Sequence, residues 1–107
     1  MYEYATGGGL AGEANPRRSP LFAEGSAMLR ALAADVAACA DRQPWVLWDE
    51  RLPAELAGCK LVPLSDRHDP IQMLASQAAA ADWTIVIAPE TGGALEAAAR
   101  AVLAAGG

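Results

Sequence analysis

Trp83-Thr84-Ile85-Val86-Ile87-Ala88 sets large or β-branched side chains at successive positions, so an extended chain here carries apolar bulk on both faces. Such a strand has to be covered from two sides, as in a sheet lying between helical layers. Three weaker apolar segments, Met1–Ala5, Trp45–Trp48 and Cys59–Leu64, also read as strands. Helical stretches separate them. Ser19-Pro20 supplies a hydroxyl cap and a proline at the first helical position, and Met28, Leu29, Leu32, Val36 and Cys39 then recur at helical spacing between Leu21 and Ala40. Asp69 or Pro70 opens a second helix over Ile71–Ala81, and Ala94–Ala105 forms a third after the Pro89–Gly93 turn. Leu52–Gly58 reads as a turn or short helix. Strands joined through helical crossovers predict an α/β domain of three layers, with a small, mainly parallel sheet of about four strands. At 107 residues, the chain has the size of one domain.

The net charge is −5, and Arg17-Arg18 is the only adjacent pair of cations. Phosphate-backbone binding needs clustered Lys and Arg, so nucleic acid is set aside as a partner. No run of apolar residues is long enough to span a membrane, and no charged segment followed by an apolar one opens the chain, so a cytoplasmic protein is expected. Cys39 and Cys59 form neither a disulfide framework nor a metal set and read as small core hydrophobes.

Ligands of open parallel sheets bind at the carboxyl ends of the strands. Three turns leave those ends: Thr6-Gly7-Gly8-Gly9-Leu10, Asp49-Glu50-Arg51 and Pro89-Glu90-Thr91. If the first and last strands are neighbours, the first and third turns line one crevice. Gly7, Gly9 and Gly12 satisfy the dinucleotide pattern, but Asn15, Pro16 and Pro20 postpone the helix that must meet the pyrophosphate. What survives is a glycine turn whose backbone N–H groups can approach an anion or carboxylate; a ligand-free flexible turn is the plainer alternative. Glu90 grips a substrate amine or, more simply, sits well at a helix start that Thr91 caps. Asp49-Glu50-Arg51 reads as a solvated strand end with a local ion pair. His68, the only histidine, stands in the polar turn Ser65–Pro70 and does not read as a catalytic group, and Trp45 and Trp48 cover the ends of a strand.

Tyr2-Glu3-Tyr4-Ala5-Thr6-Gly7-Gly8-Gly9-Leu10, then Leu21-x-x-Glu24-Gly25-x-x-Met28-Leu29-x-Ala31-Leu32, then Trp48-Asp49-x-Arg51-Leu52, and finally Ile87-Ala88-Pro89-Glu90-Thr91 together resemble the start of ATP-grasp carboligases. Among these, the sequence is similar to the tyramine–glutamate ligase group of methanofuran-type cofactor synthesis, which belongs to one-carbon metabolism. The resemblance implies that residues 1–107 are a Rossmann-like pre-ATP-grasp domain, followed in the parent chain by the C-terminal ATP-grasp domains that clamp ATP and Mg²⁺. It implies amide formation through an acyl phosphate, joining glutamate to tyramine or a tyrosine-like amine. The contribution expected of this part is one wall of the substrate cleft: Thr6, Gly7, Gly8 and Gly9 through backbone donors, Glu24 near the helix start, and Glu90 with Thr91. No catalytic residue, metal ligand or cofactor contact is expected within it.

Three further expectations follow. The chain ends on a helix-stop pair, Gly106-Gly107, and reads as a piece of a longer protein. The loop from Gly7 to Ser19 is mobile without the partner domains, and an apolar surface is left bare, masked by pairing as a homodimer. The competing readings are a non-enzymatic α/β binding or interaction module, such as a receiver-like domain, and a small independent Rossmann enzyme.

Overall fold

The computed structural model describes residues 1–53 and 56–106. The elements are β1 (Tyr2–Glu3), α1 (Pro20–Ala37), β2 (Trp45–Asp49), β3 (Lys60–Leu64), α2 (Pro70–Ala80), β4 (Val86–Ile87) and α3 (Ala94–Ala104), with short 3-10 turns at Pro16–Arg18 and Thr91–Gly93. Part of the turn expected over Leu52–Gly58, namely Ala54 and Glu55, lies outside the described residues. Both proline-led helix starts form as their chemistry demands. Ser19 Oγ accepts from Leu21 N at 3.3 Å, and Asp69 Oδ1 accepts from Ile71 N at 3.0 Å, each satisfying an N–H that has no partner within its own helix.

Among the described residues all strand pairing is parallel, as expected, but it comes as two two-stranded sheets rather than one sheet of four. β1 pairs with β4 (Tyr2 with Val86, Glu3 with Ile87), and β2 pairs with β3 from Trp45–Lys60 to Asp49–Leu64. The reason lies just after Glu3. Gly7 N donates to Glu3 O at 2.8 Å, so the chain turns away before β1 can build a ladder with β2. The two sheets still touch at the ends: Leu47 N donates to Met1 O at 3.2 Å, and Asp49 N donates to Thr6 O at 2.6 Å.

Alternation along β2 sends its side chains to two cores. Val46 and Trp48 pack with Leu29 of α1. Leu47 packs with Leu74 and Ala78 of α2, Ala98 and Val102 of α3, and Tyr2. No helix among the described residues is long and apolar enough to cross a membrane.

Several expectations are corrected. β4 is two residues long and only half-buried, with Trp83 81 % exposed ahead of it. Among the described residues its only ladder is with β1, so it is an edge strand despite its sequence. The buried face of α1 is Gly25, Ser26, Leu29 and Ala33, while Met28 points out at 56 % exposure. Cys39 lies beyond the end of α1 and is exposed; Cys59 is half-buried, and both are free thiols. Thr91 does not cap α3, which is preceded instead by Gly93 at φ +72° with no side-chain cap. Bare apolar side chains do occur, at Met28, Trp83 and Leu103, on three separate segments.

Tyr2 gives this packing a measurable signature. Burial, with the charges of Tyr4 and Glu3 added, pushes its phenol up to about 12. A group whose pKa rises on folding opposes unfolding below its unfolded value, near 10, and that benefit is lost as pH climbs toward the folded value. Titration of tyrosinate absorbance should show one tyrosine resisting ionisation between about pH 10 and 12, with stability falling over the same window. Ionisation of Tyr2 near pH 10 would show that it is not enclosed.

Candidate functional site

The glycine turn is built around a buried carboxylate. Glu3 is 3 % exposed; its Oε1 accepts from Ala5 N at 2.9 Å, and its Oε2 accepts from both Thr6 N and Thr6 Oγ1 at 2.9 Å. Gly7 N goes to Glu3 O and Gly9 N to Tyr4 O, each at 2.8 Å. The amides of Thr6, Gly7 and Gly9, expected to grip a substrate anion, are therefore taken up inside the turn. Glu3 itself occupies the cradle that successive N–H groups make for an anion. Gly8 is different. Its φ of +92° is open to glycine without strain, and a Cβ there would lie 2.8 Å from Pro70 Cγ, so the turn can lie flat against the start of α2.

Gly8 opens onto a cleft of about 530 Å³ whose walls are the 11–14 loop, Asp49–Arg51 and Leu64–Pro70. These are the segments that follow β1, β2 and β3, so the cleft sits at their carboxyl ends. The β1–β4 pairing does bring the Pro89–Thr91 turn to the same rim. Even so, Glu90, Thr91 and Glu24 are exposed and lie outside the cleft lining, as do Thr6, Gly7 and Gly9.

Asp49–Arg51 turns out to be the cleft's brace. Asp49 is 4 % exposed; its Oδ1 accepts from Arg51 N at 3.0 Å and Nε at 3.1 Å, and its Oδ2 accepts from Nη2 at 2.7 Å. The same guanidinium donates from Nη1 to Glu13 O at 2.7 Å and from Nη2 to Leu10 O at 3.0 Å. One planar fork thus ties the end of β2 to a loop some forty residues earlier in the chain. Burial pushes the Asp49 carboxyl up, but the hydrogen bonds and charge of Arg51 outweigh it and hold the group below the ordinary carboxylate range. A local ion pair was legible in the sequence; its reach to Leu10 and Glu13 had no local signal.

His68 also belongs to the cleft. Its Nδ1 accepts from Ser65 N at 3.0 Å, and Ser65 Oγ lies 3.2 Å away. With Nδ1 accepting from the backbone, Nε2 is the ring nitrogen left to face a ligand, which it can orient. Around this frame stand the exposed carboxylates Glu13, Glu50 and Asp66. The one arginine present is engaged with Asp49, so the cleft favours a cation over an anion.

Residues 43–107 match the family model described as the pre ATP-grasp 3 domain. The matched segment takes in β2 through α3, and so includes the Asp49–Arg51 and Leu64–Pro70 walls. No curated protein and no solved structure matches the chain.

Proposed function

This chain belongs to the pre ATP-grasp 3 domain family, and on that premise we propose that it forms the N-terminal, substrate-side part of an ATP-grasp ligase. Such a ligase uses ATP to convert a carboxylate into an acyl phosphate; an amine then attacks the acyl carbon, the amide forms and phosphate leaves. We assign this domain the amine. The observation that carries the assignment is the acidic rim of Glu13, Glu50 and Asp66 around a cleft whose only arginine is paired. An ammonium is attracted there and an acyl phosphate repelled, while Leu64 and Pro70 offer apolar wall to a ring. Of the glutamate and tyramine-like substrates that the resemblance implies, as in methanofuran-type cofactor synthesis, the aromatic amine is the one that suits this cleft.

ATP and Mg²⁺ belong in this reading to the C-terminal ATP-grasp region of the same polypeptide. The residues here do not fit them: the sole lysine, Lys60, stands 4.6 Å over the Trp45 ring at the amino end of β3. Among the described residues no three His, Cys, Asp or Glu side chains are grouped so that they could hold a metal ion. Glu24, Glu90 and Thr91 remain proposed contacts that act once that region closes over them. The ties from Leu47 to Met1 and from Asp49 to Thr6 support reading the two strand pairs as one Rossmann-like sheet in the order β3–β2–β1–β4.

Calorimetry tests the division of labour. Tyramine should give saturable heat that Glu50→Gln and Asp66→Asn together weaken several-fold, and MgATP should give none. Binding of MgATP by this chain, or indifference to tyramine, would contradict the assignment.

A further inference from the structure

Among the polar side chains that line the cleft at the carboxyl ends of the strands, one is neither a carboxylate nor fully engaged within the protein. Arg51 is taken up by Asp49, Leu10 O and Glu13 O, and Ser65 Oγ accepts from Arg67 N at 3.2 Å. His68 is left. It is exposed, and its ring is held from one side. Ser65 N donates to Nδ1 at 3.0 Å, with Ser65 Oγ 3.2 Å from the same nitrogen, and His68 N donates back to Ser65 O at 3.2 Å. The turn thus orients the imidazole before any ligand arrives, which lowers the ordering cost of a bond made to it. Nε2, on the far side of the ring, has no partner among the described residues.

The rest of the cleft sorts the groups of a ligand. Glu13 and Glu50 belong to its two other walls; as carboxylates they accept hydrogen bonds and carry the charge that draws an ammonium. An imidazole nitrogen without a fixed partner suits a hydroxyl, which both donates and accepts and so matches it whichever way the bond runs. An apolar strip joins these two sides. A Cβ at Gly8 would meet both Leu64 Cδ1, at 3.4 Å, and Pro70 Cγ, at 2.8 Å. Leu64 lies beside Glu50, whose N–H donates to Leu64 O at 3.0 Å, and Pro70 follows His68 by two residues.

We propose that His68 is a specificity-determining residue of this cleft: Nε2 bonds a hydroxyl on the ring of an aromatic amine whose ammonium the carboxylates hold. The inference rests on the amine assignment made above and adds to it which residue reads the hydroxyl.

Calorimetry with tyramine and 2-phenylethylamine, which share amine and ring and differ only in the hydroxyl, separates the two claims. The wild-type protein should bind tyramine about fivefold more tightly. His68→Leu should remove that preference by weakening tyramine and leaving 2-phenylethylamine unchanged. His68→Gln, whose amide can also meet a hydroxyl, should keep part of it. A merely structural role would not move the ratio, because loss of the Ser65–His68 turn weakens both amines alike; the His68→Gln ratio therefore decides if His68→Leu disturbs the turn. Equal wild-type affinities overturn the proposal and leave the amine assignment standing. So does a preference that survives His68→Leu, or a loss that falls equally on both amines in both variants. If neither amine binds the wild type, the amine assignment fails and this inference with it.

Discussion

Gly25→Ala lowers the stability of this domain by about 3 kcal/mol, although alanine is favoured over glycine inside a helix by about 1 kcal/mol. The sign is set by what faces the residue. A Cβ at Gly25 would overlap the carboxylate of Glu3. That carboxylate is a flexible side chain's far end and could swing aside in principle. Here it is held by Ala5 N, Thr6 N and Thr6 Oγ1. Moving it gives up hydrogen bonds to a charged group, at about 1.5–3 kcal/mol each, and leaves buried donors behind; overpacking alone costs about 1–3 kcal/mol. Chemical denaturation of both proteins measures the difference. A double-mutant cycle isolates its cause: in a Glu3→Ala background the same glycine substitution should become neutral or stabilising. An equal loss in both backgrounds would show that the clash is not with Glu3.

Arg51→Ala should cost about 2–3 kcal/mol, between the ~1 kcal/mol of an exposed pair and the ~3–5 kcal/mol of a fully buried one. Arg51 is the half-exposed member, and removing it leaves the Asp49 carboxylate buried without its charge partner. The loss has a pH signature. Asp49 is held low in the folded protein, so its pairing favours folding above the unfolded-state pKa, near 4, and the gain is lost as pH falls through the folded value. Without the Arg51 guanidinium, burial still raises the carboxyl and only the backbone N–H of residue 51 still lowers it, so the variant is penalised most when Asp49 is charged. The gap between wild type and variant is therefore widest near neutrality and narrows below about pH 4. The bonds to Leu10 O and Glu13 O disappear as well, so amide exchange at Ala11 and Glu13 should quicken. Arg51→Lys should rescue little, because an ammonium cannot reproduce the fork. A pH-independent gap, or full rescue by lysine, would count against the brace.

Short-range chemistry explains what the sequence made readable. Ser19-Pro20 and Asp69-Pro70 act within a few residues, and both helices begin where those pairs stand. The parallel sense of β1 and β4 followed from the helical crossovers between them, whereas β2 and β3 run parallel across a connection, residues 50–59, with no helix among its described residues. Misreadings arose where the decisive neighbour is distant. Trp83–Ala88 has the composition of a central strand, but composition does not reveal how many strands flank it, and it lies at an edge. In α1 the buried face runs through Gly25, Ser26 and Ala33, with Glu3 against Gly25, and a search for bulky side chains passes over such small residues. The site shows the same division. Gly8 was visible as an unusual turn residue, yet the walls it meets come from Asp49–Arg51 and Ser65–Pro70, which look like ordinary polar turns until the sheet brings them together. The internal bonds of the glycine turn were hidden because nothing local marks Glu3, at a strand position, as a buried acceptor for Ala5 and Thr6.

Amide-shift mapping with tyramine bears most directly on the claim that the carboxyl-rim cleft receives the amine. Saturable changes are expected to concentrate at Gly8, Gly12, Glu50, Asp66 and His68, all in the cleft lining. Changes centred outside that lining, or none at all, would contradict the claim.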